Sequence, residues 1–139
     1  MAGVRNTGKD AEDAFVERKE SQPRTVVERF YDASDLRGIN KGRPVGDFPK
    51  PSDFLVTEDG ATHFAEVKST QNAKRFPFSQ IEDGQRSACL RHTAAGGVYT
   101  FYIFTYGLGK WFKLPGFLFA QLLEDGAASV SFEELSEWV

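Results

Sequence analysis

Asp59-Gly60 stands between two runs of strand-forming residues, Ser52 to Thr57 and Thr62 to Thr70. That dipeptide in that setting is among the strongest short signals for a β-hairpin. A two-residue turn also fixes the register, because a slip of one residue would reverse every side chain. Glu58 then faces Ala61, Leu55 faces Phe64, and Asp53 faces Glu66. The last pair sets two carboxylates on one face of a sheet, with β-carbons about 5 Å apart. Lys68, two residues beyond Glu66, shares that face. Phe64, Ala65 and Val67 surround these charges, so the strand reads as buried on both sides. Opposed like charges are destabilising unless one carboxyl keeps its proton or a cation lies between them. A divalent metal is the natural compensator.

Carboxylate oxygens are hard ligands suited to magnesium, which commonly takes one or two carboxylates, keeps several waters and accepts phosphate oxygens. A cation so held can orient a water and stabilise charge on a scissile phosphate, and Lys68 would add a positive charge beside it. The reaction class is phosphodiester hydrolysis. The acid-x-Lys spacing alone is a weak signal. It recurs at Glu17-Arg18-Lys19 on an expected helix, and Glu66-Val67-Lys68 taken by itself fits a surface ion pair equally well.

The remaining chain supplies an α/β frame around the hairpin. Thr7 and Asp10 resemble a capping box, and Ala11, Ala14, Phe15 and Arg18 recur at helical spacing, which predicts a helix over about 8–20. A strand over 25–31 follows. Residues 32–51 read as a long basic loop or protruding insertion. After the hairpin come a loop through Lys74 to Phe78, a helix over 79–95 closed by Gly96-Gly97, and an apolar strand over 98–106. A strand over 110–114, a helix opening at Pro115 and a C-terminal helix capped by Ser131 complete the order. The expectation is a single domain over 1–139 with a mixed central β-sheet flanked by helices.

Composition narrows the setting. The 139 residues include one Cys, so no internal disulfide forms and a multi-cysteine zinc site is excluded. No apolar run exceeds Val98 to Tyr106, too short to cross a bilayer, and the polar start lacks a signal core. A soluble protein of a reducing compartment is expected. The net charge of −3 argues against a uniformly basic nucleic-acid binder. Its distribution argues otherwise. Cations dominate Arg37 to Lys50 and Lys68 to Arg91, whereas acids gather after Glu124. Ordinary solvated faces account for most such runs, yet basic patches beside an acidic remainder also suit DNA.

Asp53, a hairpin and then Glu66-Val67-Lys68 are similar to the core of the PD-(D/E)XK nuclease superfamily. More closely, the chain resembles RecU-type Holliday junction resolvases, including compact phage-encoded ones. The resemblance runs from Asn6-Thr7-Gly8 through Glu12, Ser52-Asp53, Phe64 to Thr70, Phe76-Pro77 and Gln85, and on through the apolar strand to Trp111. Ser52 stands where the superfamily motif has Pro. The resemblance implies a restriction-endonuclease-like fold and a metal-dependent endonuclease that cuts branched DNA at four-way junctions. It implies that Asp53 and Glu66 bind magnesium or manganese with help from the Val67 carbonyl, and that Lys68 positions the nucleophilic water. Glu12 and Gln85 would complete the catalytic set. A twofold homodimer, which two symmetric nicks require, and a cytoplasmic setting in a bacterial or phage-infected cell are also implied.

On residue grounds alone, Glu12 is either an inward acid bordering the Ala11/Phe15 face or a solvated first-turn acid. Gln85 lies on the stripe of Ile81, Ala88, Cys89 and His92, and an amide bonded within the core is its plain alternative. The expected DNA contacts are Arg5, Arg37, Lys41, Arg43, Lys50, Lys74, Arg75 and Phe76. Phe76 and Phe78 either stack on unpaired bases or clamp the following helix. His63 reads as structural, His92 as a helix C-terminal cation and Cys89 as a core thiol. Two other functions stay open: a nuclease of this fold acting in restriction or repair, and a non-catalytic DNA-binding module.

Overall fold

The computed structural model describes residues 7–31 and 50–139. Helix α1 (Thr7–Glu20) leads into β1 (Thr25–Arg29), and after the segment 32–49 the hairpin follows as β2 (Phe54–Glu58) and β3 (Ala61–Thr70). Asp59 and Gly60 have φ of 51° and 84°, the paired positive values of a type I′ turn that Gly tolerates best. The register is the one the turn dictates, from Glu58 opposite Ala61 to Phe54 opposite Ala65. β1 extends the hairpin on its outer edge, with Arg29 opposite Phe54.

A short strand β4 (Arg75–Pro77) and a 3₁₀ turn (Phe78–Gln80) precede α2 (Asp83–Ala94). The expected helix over 79–95 therefore starts later. Glu82 and Gln85 form a capping box that fixes the start of α2. β5 (Tyr99–Thr105), β6 (Lys110–Pro115), α3 (Gly116–Glu124), β7 (Ser129–Ser131), a 3₁₀ turn (Phe132–Glu134) and β8 (Ser136–Glu137) complete the chain.

Six strands form one sheet in the order β1-β2-β3-β5-β6-β8, and β4 pairs with β7 in a separate ribbon. Among the described strands, only the central pair, β3 with β5, is parallel within that sheet. On one face α1 packs Ala11 and Phe15 over Phe54, Val56, Ala65, Val67, Tyr102 and Trp111. The other face carries the larger core, in which Phe76, Phe78, Cys89, Tyr99, Phe101, Ile103 and Phe119 meet. No helix among the described residues is long and apolar enough to cross a membrane.

The C-terminus differs from the expected helix. Ser131 does cap, its hydroxyl accepting from Glu133 N–H at 3.2 Å, but only one 3₁₀ turn follows. The tail then extends along β6, with Trp138 N–H donating to the Trp111 carbonyl. Extension places the Trp138 ring against Phe15, Tyr102 and Trp111, and beneath the Arg18 guanidinium. A continued helix would forgo that burial.

Candidate active site

The hairpin ladder ends at Phe54 and Ala65, and one residue further on Asp53 and Glu66 bond crosswise instead. Asp53 N–H donates to Glu66 Oε1 at 3.0 Å, and Val67 N–H donates to Asp53 Oδ2 at 2.9 Å. Both acids are buried, Asp53 at 6% exposed and Glu66 at 2%. The backbone around Asp53 is held from three sides. Phe30 N–H donates to the Asp53 carbonyl, Ser52 Oγ donates to the Phe54 carbonyl, and the buried Tyr99 hydroxyl donates to the Pro51 carbonyl at 2.6 Å.

Each carboxylate has a lysine. Lys68 Nζ lies 3.5 Å from Glu66 Oε2, and Lys50 Nζ lies 3.2 Å from Asp53 Oδ1. Glu12, from α1, accepts from Arg29 Nη1 at 3.0 Å. Three acids and three cations thus gather where α1, β1, β2 and β3 meet. Burial first, and the Asp53 charge second, push the Glu66 pKa up to about 8, against the pull of Lys68 and Lys50. Burial and Asp53 likewise raise Glu12, while Arg29 and Lys50 draw it down. Burial opposes the charge on Lys50, but the carboxylates of Asp53, Glu66 and Glu12 outweigh it and raise its pKa.

The donor chemistry fits a hard divalent cation. Asp53 Oδ1 and Glu66 Oε2 are the carboxylate oxygens not tied to backbone. An extended residue sends its N–H and C=O to the same side, so Val67, whose N–H reaches Asp53, offers its carbonyl on the Asp53 side as well. Among the described residues no cluster of three His, Cys, Asp or Glu side chains is arranged to hold a metal. A cation here would rest on two carboxylates and a carbonyl, with water elsewhere, as magnesium prefers. Burial, and then the neighbouring Asp53 charge, drive the Glu66 carboxyl up to about 8, and a cation between the two acids would offset that cost.

The structure thus brings Glu12, Asp53, Glu66, Val67 and Lys68 into one site. Gln85 is elsewhere engaged: its side-chain oxygen accepts from Glu82 N–H at 3.1 Å in the α2 cap. Phe76 is 0% exposed because β4 pairs with β7 and turns it into the core, so it cannot stack on bases, and Phe78 is likewise buried. Lys50, an expected DNA contact, forms an ion pair with Asp53 at 3.2 Å. Lys74 and Arg75 are exposed, the latter donating to Ser129 Oγ at 2.8 Å. Arg5, Arg37, Lys41 and Arg43 lie outside the described residues.

His63 is buried opposite Val56 and shares a 2.8 Å hydrogen bond with the Tyr102 hydroxyl, a structural role. Burial pushes the Cys89 thiol up to about 11, as suits a core residue. Two neighbours of the site escaped sequence reasoning. Arg29 becomes visible only when the register is carried across to β1. Tyr99 opens an apolar strand and carries no local mark of its role.

No family model matches the sequence, and no curated protein matches it. Among solved structures the chain is similar to Hjc, a Holliday junction resolvase from the archaeal hyperthermophile Archaeoglobus fulgidus, with a TM-score of 0.60. The chain has the restriction-endonuclease-like fold. Identity is 14%, and the match covers 94% of this chain and 95% of that one. The likeness is therefore one of whole-domain architecture.

Proposed function

We propose that the chain is a metal-dependent endonuclease that resolves four-way DNA junctions, a RecU-like member of the PD-(D/E)XK superfamily acting as a homodimer. The observation that carries this reading is the crosswise pair: two buried carboxylates at the end of a hairpin, one pushed up to about 8, with Lys68 beside them. The fold shared with an archaeal junction resolvase supports the substrate class.

In this reading Asp53 and Glu66 would hold magnesium or manganese, with the Val67 carbonyl as a third donor. The cation would supply the Lewis-acid charge that phosphodiester hydrolysis needs. Lys68, fixed on β3 and mostly buried, presents an ammonium that orients the attacking water and offsets charge on the phosphate. The crosswise bonds hold both carboxylates rigid, so the charge array exists before substrate arrives. Tyr99 anchors Pro51 and thereby the backbone leading to Asp53. Glu12 draws Arg29 to the rim, where its guanidinium can meet the DNA backbone. Two such sites related by a twofold axis would nick two strands symmetrically.

Competition among a four-way junction, a flap and a linear duplex of equal length tests the substrate. Preferential cutting of the junction into nicked duplexes is expected. Equal cutting of the linear duplex would leave a nuclease but remove the junction from the account.

A further inference from the structure

Four carboxylate oxygens converge at the Asp53–Glu66 pair, and the fold treats them in two ways. The inner two, Asp53 Oδ2 and Glu66 Oε1, are satisfied by backbone N–H groups. The outer two each face an ammonium, Glu66 Oε2 that of Lys68 and Asp53 Oδ1 that of Lys50. The two lysines are not equivalent. Lys68 projects from within β3, paired on to β5, where the sheet leaves it little freedom. Lys50 belongs to no strand or helix, keeps 23% of its side chain exposed, and precedes the anchored Pro51 carbonyl. A cation taking the free Asp53 oxygen must enter where the Lys50 ammonium now sits.

We propose that Lys50 is the resident counter-ion of the cation site, and that on metal entry it exchanges Asp53 for a phosphate oxygen of the bound DNA. The proposal rests on the nuclease reading above. Lysine suits such an exchange: its head is a compact charge with three donors on a flexible four-carbon stem, and it binds carboxylate and phosphate alike. The exchange also keeps the site near neutrality. Without Lys50 the free protein would leave Asp53 buried beside Glu66 without the ammonium that faces its outer oxygen. With Lys50 still in place, a divalent ion would overload the Asp53 oxygen.

Reciprocity follows. If metal displaces Lys50 and DNA receives it, each ligand tightens the other by the same factor. Calorimetric titration of manganese into wild type, Lys50→Met and Lys50→Arg, with and without a four-way junction, tests this directly. Lys50→Met is expected to bind manganese about ten-fold more tightly than wild type in the absence of DNA, equivalent to about 1.4 kcal/mol. Lys50→Arg, which keeps the charge, should stay near wild type. The factor by which the junction tightens manganese should shrink in Lys50→Met, and junction affinity in calcium should fall several-fold. Thermal melting of each variant confirms that it is folded, with Lys50→Gln as the second neutral variant. Manganese bound by wild type but no more tightly by either neutral variant would overturn the exchange and leave the nuclease reading intact. Absence of manganese binding in wild type and neutral variants alike would overturn the cation site itself, and the exchange with it.

Discussion

Glu66→Gln removes the carboxyl that the fold strains most, and the pH dependence of stability should register its loss. In wild type, burial and the Asp53 charge raise the Glu66 pKa from 4.5 to about 8. The unfolded chain releases that proton near 4.5, while the folded chain keeps it until about 8, so across this window the native state binds the extra proton. Stability contributed by the protonated form is therefore full at low pH and is lost as pH rises from the lower value to the upper. Integrated over the window, the ceiling is on the order of 5 kcal/mol. For a domain of this size that corresponds to a fall in Tm on the order of 10 °C between pH 5 and pH 8.5 without metal.

Gln keeps the oxygen that accepts from Asp53 N–H but cannot ionise. Its Tm should therefore lack this component of the slope, and the difference between variant and wild type, measured by calorimetric melting at half-unit pH steps, cancels the contributions of other groups such as His63. Above pH 8 the variant should melt higher than the metal-free wild type. Magnesium should restore the wild-type Tm there and leave the variant little changed, since ligand binding to the native state stabilises by mass action. Parallel melting curves for both proteins across the range, or a variant that melts lower than wild type at pH 8.5, would refute the reasoning.

Gly116→Ala should destabilise by about 1–3 kcal/mol, seen as a lower urea midpoint, because overpacking at a closed helix start leaves little room to relax. A Cβ at that position would lie 2.6 Å from Thr93 Oγ1 and 2.9 Å from the Tyr99 carbonyl oxygen. Cys89 should resist alkylation by iodoacetamide at pH 8 in the folded protein and react promptly in denaturant, since it is 0% exposed and its thiol is pushed up to about 11.

The hairpin and its acids were legible because a type I′ turn is encoded locally and a period of two carries its register outward without further information. The alternation extends to Asp53, Glu66 and Lys68 and no further. Nothing in Thr25 to Arg29 says that β1 pairs with β2, so Arg29 stayed hidden, and the hydroxyl of Tyr99 finds Pro51 only across the fold. Short elements also escaped. β4 and β7 are three residues each, too brief to alternate visibly, and missing them left Phe76 in a loop when their pairing buries it. Gln85 keeps helical spacing to Ala88, Cys89 and His92, but as the third residue after the Glu82 cap its side chain turns back to the Glu82 N–H, a role the stripe does not show. Ser131 carried a true capping signal, yet a cap marks a start and not a length. The tail extends because the Trp138 ring is better buried against Phe15 and Trp111 than in a helix.

The central claim is that the Asp53–Glu66 pair is a cation site that drives phosphodiester hydrolysis. Its most direct measurement is the single-turnover cleavage rate of a synthetic four-way junction in magnesium, compared for wild type, Asp53→Asn and wild type in chelator, with junction binding followed in parallel. The account predicts cutting by wild type alone, a loss on the order of 10²–10³-fold in Asp53→Asn and in chelator, as when one charge-stabilising group of a reaction is removed, and junction binding still measurable in all three, weaker where metal is absent. Undiminished cutting by Asp53→Asn, or by wild type in chelator, would contradict it.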